Sequence, residues 1–120
     1  MKPKDPIASL LPLSPAALHI LTALAGGDRH GYAIMQEVAQ QSDGRYKLGP
    51  GTLYDNIEKL ISRALIKEAS RSSGGDDPRR RYYQLTTFGR RVLSAEVTRL
   101  GDVLRSAKMR LATSGSGENS

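Results

Sequence analysis

Gly49-Pro50-Gly51-Thr52-Leu53-Tyr54-Asp55-Asn56-Ile57-Glu58-Lys59-Leu60-Ile61-Ser62-Arg63-Ala64-Leu65-Ile66 reads as a capped helix that runs directly into a strand. Gly49 takes the cap and Pro50 the first helical position, where a missing N–H costs nothing and the fixed φ is already helical. Leu53, Ile57, Leu60, Ile61 and Ala64 recur at the spacing of a single helical face. Gly51, Asp55, Glu58, Lys59 and Ser62 fall opposite that face. Thr52, Asn56 and Arg63 lie on one flank, and Tyr54 on the other. A helix patterned in this way buries one side and presents the other.

The surrounding sequence supplies its supports. Residues 65–69 make a short strand and residues 79–85 a returning one, opened by Arg79-Arg80-Arg81. Tyr82 and Tyr83 must then face opposite sides of the strand. Between the strands, 70–78 is a polar loop whose Gly74-Gly75-Asp76-Asp77 tip carries two acids that would repel phosphate. Upstream, Ser14-Pro15 starts a first helix with Ala17, Leu18, Leu21, Leu24 and Ala25 on one face, ended by Gly26-Gly27. A second helix over 31–41 turns Ile34, Met35, Val38 and Ala39 inward and is closed by Gly44. Downstream, Thr86 caps a last helix to about Leu111. Its Leu93, Val97, Leu100, Leu104, Ala107 and Leu111 alternate at four and three, a heptad-type seam.

The order helix, helix, helix, strand, strand, helix predicts a mainly α fold with a small β-hairpin: a winged helix-turn-helix plus a long C-terminal dimerisation helix. The expected organisation is a flexible N-terminal arm over 1–13 and a DNA-binding domain over 14–85. The dimerisation helix follows over 86–111, and a disordered tail over 112–120.

Composition narrows the class. The chain has 120 residues, enough for one domain, and a net charge of +6, which favours polyanionic partners. It has no cysteine and two histidines, so disulfides, thiolate catalysis and Cys-based zinc sites are excluded and a metal site is not expected. Gly49-Pro50-Gly51-Thr52 lacks the Gly-Lys-Ser/Thr ending of a phosphate loop. No catalytic residue and no cofactor is expected. Pro3, Pro6 and Pro12 interrupt the first residues, and no apolar run has the length of a membrane span. The expectation is a soluble, cytoplasmic protein that is not an enzyme.

These residues resemble the PadR family of bacterial transcriptional regulators. The resemblance covers about residues 13–111. It rests on His30-Gly31-Tyr32, Gly44-Arg45-Tyr46, Gly51-Thr52-Leu53-Tyr54, Leu65-Ile66, Arg79-Arg80-Arg81-Tyr82-Tyr83, Leu85-Thr86 and Gly89. The single final helix is similar to the small subclass of the family. Ala64 departs from the pattern, since members commonly carry Gly there; it implies a turn without positive φ, or strain. The resemblance implies a small aromatic or hydrophobic effector near the dimer interface. The absence of Trp and the single Phe, Phe88, leave little aromatic surface to hold one.

Residue chemistry gives the candidate DNA contacts. The amides at 49–52 suit a phosphate oxygen, Gly51 lets the backbone approach closely, and Thr52 and Tyr54 offer hydroxyls. Asn56 and Lys59 have the donors to read adenine and guanine edges. Arg79, Arg80 and Arg81 suit flanking phosphates or a narrow minor groove, and Tyr32 and Lys47 are further phosphate candidates. The expected function is a homodimeric, sequence-specific regulator of transcription, a ligand-responsive repressor binding double-stranded DNA at a two-fold operator. The alternatives are a winged-helix protein-interaction module and a non-specific nucleoid-type DNA binder. A seam of Leu93, Val97, Leu100, Leu104, Ala107 and Leu111 would pair the protomers.

Overall fold

A computed structural model describes residues 5–69 and 80–117. The wing-tip loop at 70–78, Arg79, the first four residues and 118–120 lie outside the described residues. Helices α1 (Pro15–Ala25), α2 (Gly31–Gln41), α3 (Pro50–Ser62) and α4 (Thr87–Gly117) are joined by strands β1 (Arg29–His30), β2 (Ile66–Glu68) and β3 (Tyr82–Leu85). The strands form one antiparallel sheet in the order β1-β3-β2.

Each helix begins as its sequence dictates. The Ser14 hydroxyl accepts the Ala17 N–H at 3.1 Å, with Pro15 at the first helical position of α1. The Thr86 hydroxyl accepts the Gly89 N–H at 2.8 Å, three residues into the turn that starts α4. α1 runs through the middle of the molecule and touches α2, α3, β3 and α4. Its Ile20, Leu21 and Leu24 are buried with Ile34 and Val38 of α2, Leu53, Ile57 and Leu60 of α3, and Val92 of α4. Only one face of α3 is used in this way, which leaves the opposite ridge outside.

The expected hairpin is present as β2 and β3, and β1 extends it to a three-stranded sheet, because Arg29 and His30 pair with Tyr83 and Tyr82. Three expectations are corrected. The arm over 1–13 is not free over its described part. Residues 8–10 form a 3-10 turn, and Ile7, Leu10, Leu11 and Leu13 pack on the core. Prolines break the helical period there without removing the apolar side chains that gain from burial. The last helix does not stop at Leu111 but runs to Gly117. Ala, Thr and Ser cost a formed helix little, so Gly115 is the first real obstacle. Finally, Ile61 and Ala64 are exposed although they continue the apolar period of α3. Ile61 lies within α3 but at the edge of its buried face, toward Tyr54, and Ala64 falls in the turn after the helix has ended.

How α3 ends explains Ala64. The Ala64 N–H bonds to the Ile61 carbonyl and the Leu65 N–H to the Leu60 carbonyl, both at 2.9 Å. This is a Schellman turn, which needs a left-handed residue at its corner. Ala64 takes that place at φ 62°, so the strained alternative holds. The buried pair Leu60 and Leu65 closes the turn hydrophobically. The turn is then clamped from the far end of the sheet. The Thr86 hydroxyl donates to the Ala64 carbonyl at 2.7 Å, and the Thr86 N–H to the Leu65 carbonyl at 3.1 Å. A side chain on Gly89 would overlap the same Leu65 carbonyl, so only glycine lets α4 start there.

A second anchor holds α4 further along. Glu96 is 1% exposed. It accepts the Leu13 N–H at 2.9 Å and two hydrogen bonds from Arg99, at 2.6 and 3.0 Å. The Arg99 hydrogen bonds, against the cost of burial and with help from the Leu13 amide, hold its carboxyl below the usual carboxylate range.

Left-handed φ costs alanine about 1–2 kcal/mol, while glycine gives back part of the gain in unfolded-state entropy. Ala64→Gly is therefore expected to stabilise the fold by about 0.5–1 kcal/mol, read as a raised urea midpoint at unchanged slope.

Candidate nucleic-acid interface

Two concavities flank α3. The first, about 470 Å³, lies where α3 meets the start of α2 and the approach to β3. Tyr32, Tyr54, Arg80 and Arg81 all line it, together with His30 and Gly31. β1 is what brings them together, because its pairing with β3 sets His30 opposite Tyr82. The two rings meet edge to face with centroids 5.3 Å apart. Gly31 lets Tyr54 lie where it does: a side chain there would overlap the Tyr54 hydroxyl and come within 2.9 Å of its ring, so Tyr54 would have to move.

His30 links the two sides. Its Nδ1 accepts the Ala33 N–H at 3.2 Å, capping α2, and its Nε2 stands 2.8 Å from Arg80 Nη1. A guanidinium only donates, and a neutral imidazole has one accepting nitrogen. The α2 cap and the Arg80 contact therefore alternate with the tautomer. Arg81 reaches Glu68 at 3.9 Å, with both side chains exposed. A pair so long and so wet contributes little and leaves the guanidinium able to take another anion. Tyr83 lies buried beneath, and burial, followed by the nearby Tyr54 and Glu68, raises its hydroxyl pKa above the ordinary value. Tyr32 and Tyr54 are 59% and 46% exposed.

The second concavity, about 420 Å³, lies between α3 and the start of α1. Ser14, Pro15, Tyr46, Asn56, Lys59 and Arg63 line it. Asn56 is half-buried and donates to the Thr52 carbonyl at 2.8 Å, so part of its amide is engaged by its own helix. Between the concavities runs the α3 ridge, with Gly51, Thr52, Asp55, Glu58 and Ser62 exposed. Gly49 makes no side-chain cap, and the first amide bonded within the helix is that of Leu53, to the Gly49 carbonyl at 2.9 Å. The Gly51 and Thr52 amides precede it and face outward. Lys47 is exposed in the turn before α3. That turn is fixed by Ser42 Oγ, which accepts the Tyr46 N–H at 2.9 Å, and by Tyr46 stacking on His19 at 4.5 Å.

The candidate residues thus divide. Tyr32, Tyr54, Arg80 and Arg81 share one concavity, Asn56 and Lys59 share the other, and Gly51 and Thr52 stand at the helix end. Arg79 lies outside the described residues. Sequence reasoning missed the His30–Arg80 contact, which depends on a two-residue strand with no period to detect. It also passed over Arg63, although that residue sits on the same helical flank as Asn56.

The seam on α4 divides as well. Leu93, expected to face a partner, is 8% exposed and belongs to its own protomer's core. Leu100 is half-buried, whereas Val97, Leu104, Ala107 and Leu111 are exposed. The stripe leaves the core after Leu93 because α4 outruns the helices beneath it.

A family model described as "Transcriptional regulator PadR-like family" matches residues 20–95. The chain belongs to the PadR-like family. It is 32% identical over 88 residues to transcriptional regulator Rv3488 of Mycobacterium tuberculosis, covering 73% of this chain and 78% of that one. It is similar to the crystal structure of a PadR family transcription regulator from Clostridium difficile R20291, at a TM-score of 0.66 and 26% identity. That match covers 82% of this chain and 99% of the other. Bacillus subtilis PadR in complex with operator DNA shares the fold, at a TM-score of 0.60 and 21% identity, over 78% of this chain and 49% of that one. The winged-helix fold and the place of this chain among PadR-like transcriptional regulators follow. No helix among the described residues is long and apolar enough to cross a membrane.

Since His30 caps α2, His30→Ala is expected to cost about 1 kcal/mol of stability, while His30→Asn, a good cap, should restore most of it. Chemical denaturation of the two variants beside the parent chain checks this.

Proposed function

We propose that this PadR-like protein is a homodimeric, sequence-specific DNA-binding regulator that acts as a ligand-responsive repressor in the cytoplasm. The observation that carries the proposal is the shared concavity. Through β1 it ties the tyrosines beside the α3 amino end to Arg80 and Arg81 at the base of the wing. A helix end with outward amides and a nearby pair of guanidiniums can meet one stretch of polyanion together. In this reading α3 enters the major groove, with Lys59 and Asn56 turned to base edges and Gly51 and Thr52 to phosphate. Arg79, Arg80 and Arg81 grip the adjacent backbone, with Tyr32 and Lys47 as outer contacts. That Bacillus subtilis PadR is found in complex with operator DNA on the same fold supports this assignment. The acids Asp55 and Glu58 on the ridge disfavour purely non-specific binding, since they repel phosphate and gain only where a base donor meets them.

The exposed stripe of Val97, Leu104, Ala107 and Leu111 supports pairing of two α4 helices. A two-fold dimer would set two α3 helices against half-sites about one turn, roughly 34 Å, apart. A small aromatic or hydrophobic effector could release DNA only by binding one arrangement of the pair better than the other.

Footprinting on the DNA upstream of the protein's own gene supplies the duplex for testing. Arg80→Glu is expected to weaken binding to every duplex and to lower the slope of log K against log salt by about 1 or more. Lys59→Ala should instead cost about 1–3 kcal/mol at one base position and relax the preference there. Unchanged binding by the Arg80 variant would remove the wing from the interface. Equal affinity of the parent chain for unrelated duplexes, rather than a preference of about a thousandfold, would refute sequence specificity.

Leu104, 55% exposed, contributes nothing to the protomer's core. Leu104→Glu is therefore expected to give folded monomers by sedimentation, with operator affinity falling as the dimer is lost.

A further inference from the structure

Glu96 is a buried carboxylate in a region where apolar packing would serve stability as well. Replacing buried ion pairs by well-packed apolar groups is often neutral or stabilising, so its presence calls for another account. Its three accepted hydrogen bonds come from Arg99 on its own helix and from the Leu13 amide of the N-terminal segment. The Leu13 bond is a directional one that crosses from α4 to another part of the chain. α4 is joined to the body at its start by the Thr86 and Gly89 contacts with the Ala64–Leu65 turn. Between the two anchors lie Val92 and Leu93, whose apolar contacts resist separation but hold a crossing angle only within about 15–20°. Glu96 is the last buried residue of the described part of α4, and every residue from Asp102 to Ser114 is exposed.

One joint fixes where a rod begins; a second is needed to fix where it points. Leu111 lies about 33 Å along the helix from Gly89, so a tilt of about 10° at the first joint moves it by about 6 Å. That is close to two base-pair steps of roughly 3.4 Å. We infer that Glu96 is a positioning residue: by holding the Leu13 amide it fixes the direction of α4 relative to α3, and so sets the separation of the two α3 helices in the dimer. The second half of this inference rests on the dimeric, DNA-binding reading above; the first half does not.

The absence of cysteine makes the direction of α4 measurable. Ser62→Cys on α3 and Lys108→Cys on α4 place two spin labels at exposed positions of one protomer. Pulsed dipolar spectroscopy on labelled full-length chain, diluted in excess unlabelled protein, reads their distance. A single narrow distance is expected with Glu96 in place. Glu96→Gln puts an amide donor where only acceptors are wanted, and Glu96→Asp is one methylene too short to reach Leu13. Both should broaden or shift the distribution; where one does not fold, the other decides. Arg99→Gln leaves the Leu13 bond in place and should lower the melting temperature while keeping the distance narrow. Distances unchanged in both Glu96 variants, or broadened equally by Arg99→Gln, would overturn the positioning role.

The DNA arm uses the footprinted duplex with two base pairs inserted between its half-sites. The parent chain is expected to lose about tenfold or more in affinity on that insertion, and Glu96→Gln less than about threefold. A retained tenfold preference beside a broadened label distance would overturn the spacing role alone. A parent chain that sediments as a monomer or binds no duplex would refute the dimeric DNA-binding reading, while the label distances would still decide what Glu96 holds.

Discussion

Two backbone carbonyls, those of Ala64 and Leu65, hold three parts of this molecule in one register. The amides of the same two residues close the turn that ends α3, their carbonyls receive the Thr86 hydroxyl and amide as β3 finishes, and the Leu65 carbonyl sits against Gly89 as α4 begins. A shift at this point would move the wing and the last helix together relative to α3. The left-handed conformation of Ala64 is the local cost of that arrangement, and the burial of Leu60 and Leu65 on either side offsets it. The Leu65-Ile66, Leu85-Thr86 and Gly89 elements of the sequence are the chemical parts of one joint, although nearly twenty residues of chain separate its two halves.

Most of the fold was legible because helices announce themselves locally. Ser14 and Pro15 start α1 by forming the bond and the φ expected of them, and the period of Leu53, Ile57 and Leu60 found the buried side of α3. What was illegible depends on distant partners. β1 has two residues and exists only because β3 lies beside it. Ile61 and Ala64 obey the apolar period and are nevertheless exposed, since a period says which side of a helix is apolar and neither how wide the buried strip is nor where the helix stops. Leu93 fails in the opposite sense: the heptad spacing that joins it to Val97 and Leu100 is the same whether the neighbour is the protomer's own α1 or a second chain.

The candidate interface was legible as a set of residue types and not as a layout. The tyrosines and arginines fall into one concavity through the pairing of β1 with β3, which no spacing along the chain encodes. Lys59 and Asn56 turn to the other side of α3, where Arg63 joins them. The His30 ring shows why side-chain chemistry matters beyond placement. With one accepting nitrogen to divide between the α2 cap and Arg80, it couples the stability of a helix end to the position of a wing arginine. A phosphate that drew Arg80 away would leave the acceptor to the cap, so anion binding and α2 capping would reinforce each other.

The length of α4 carries the argument for a partner furthest. Thirty-one residues make a rod of about 46 Å, and the radius of gyration of 17.6 Å exceeds the roughly 13.6 Å of a compact chain of this size. An unsupported helix of such a length is marginal in water, because most helical stability in proteins comes from packing an apolar face. Beyond Gly101 every α4 residue to Ser114 is exposed among the described residues, yet Leu104, Ala107 and Leu111 keep the stripe going. Ion pairs such as Arg105 with Asp102 are exposed and too weak to make up the difference. In the proposed dimer, a second α4 laid along the stripe would supply the missing packing. The same contact that stabilises the rod would then hold the two DNA-facing surfaces at one separation, which makes the direction in which α4 leaves the body a functional quantity.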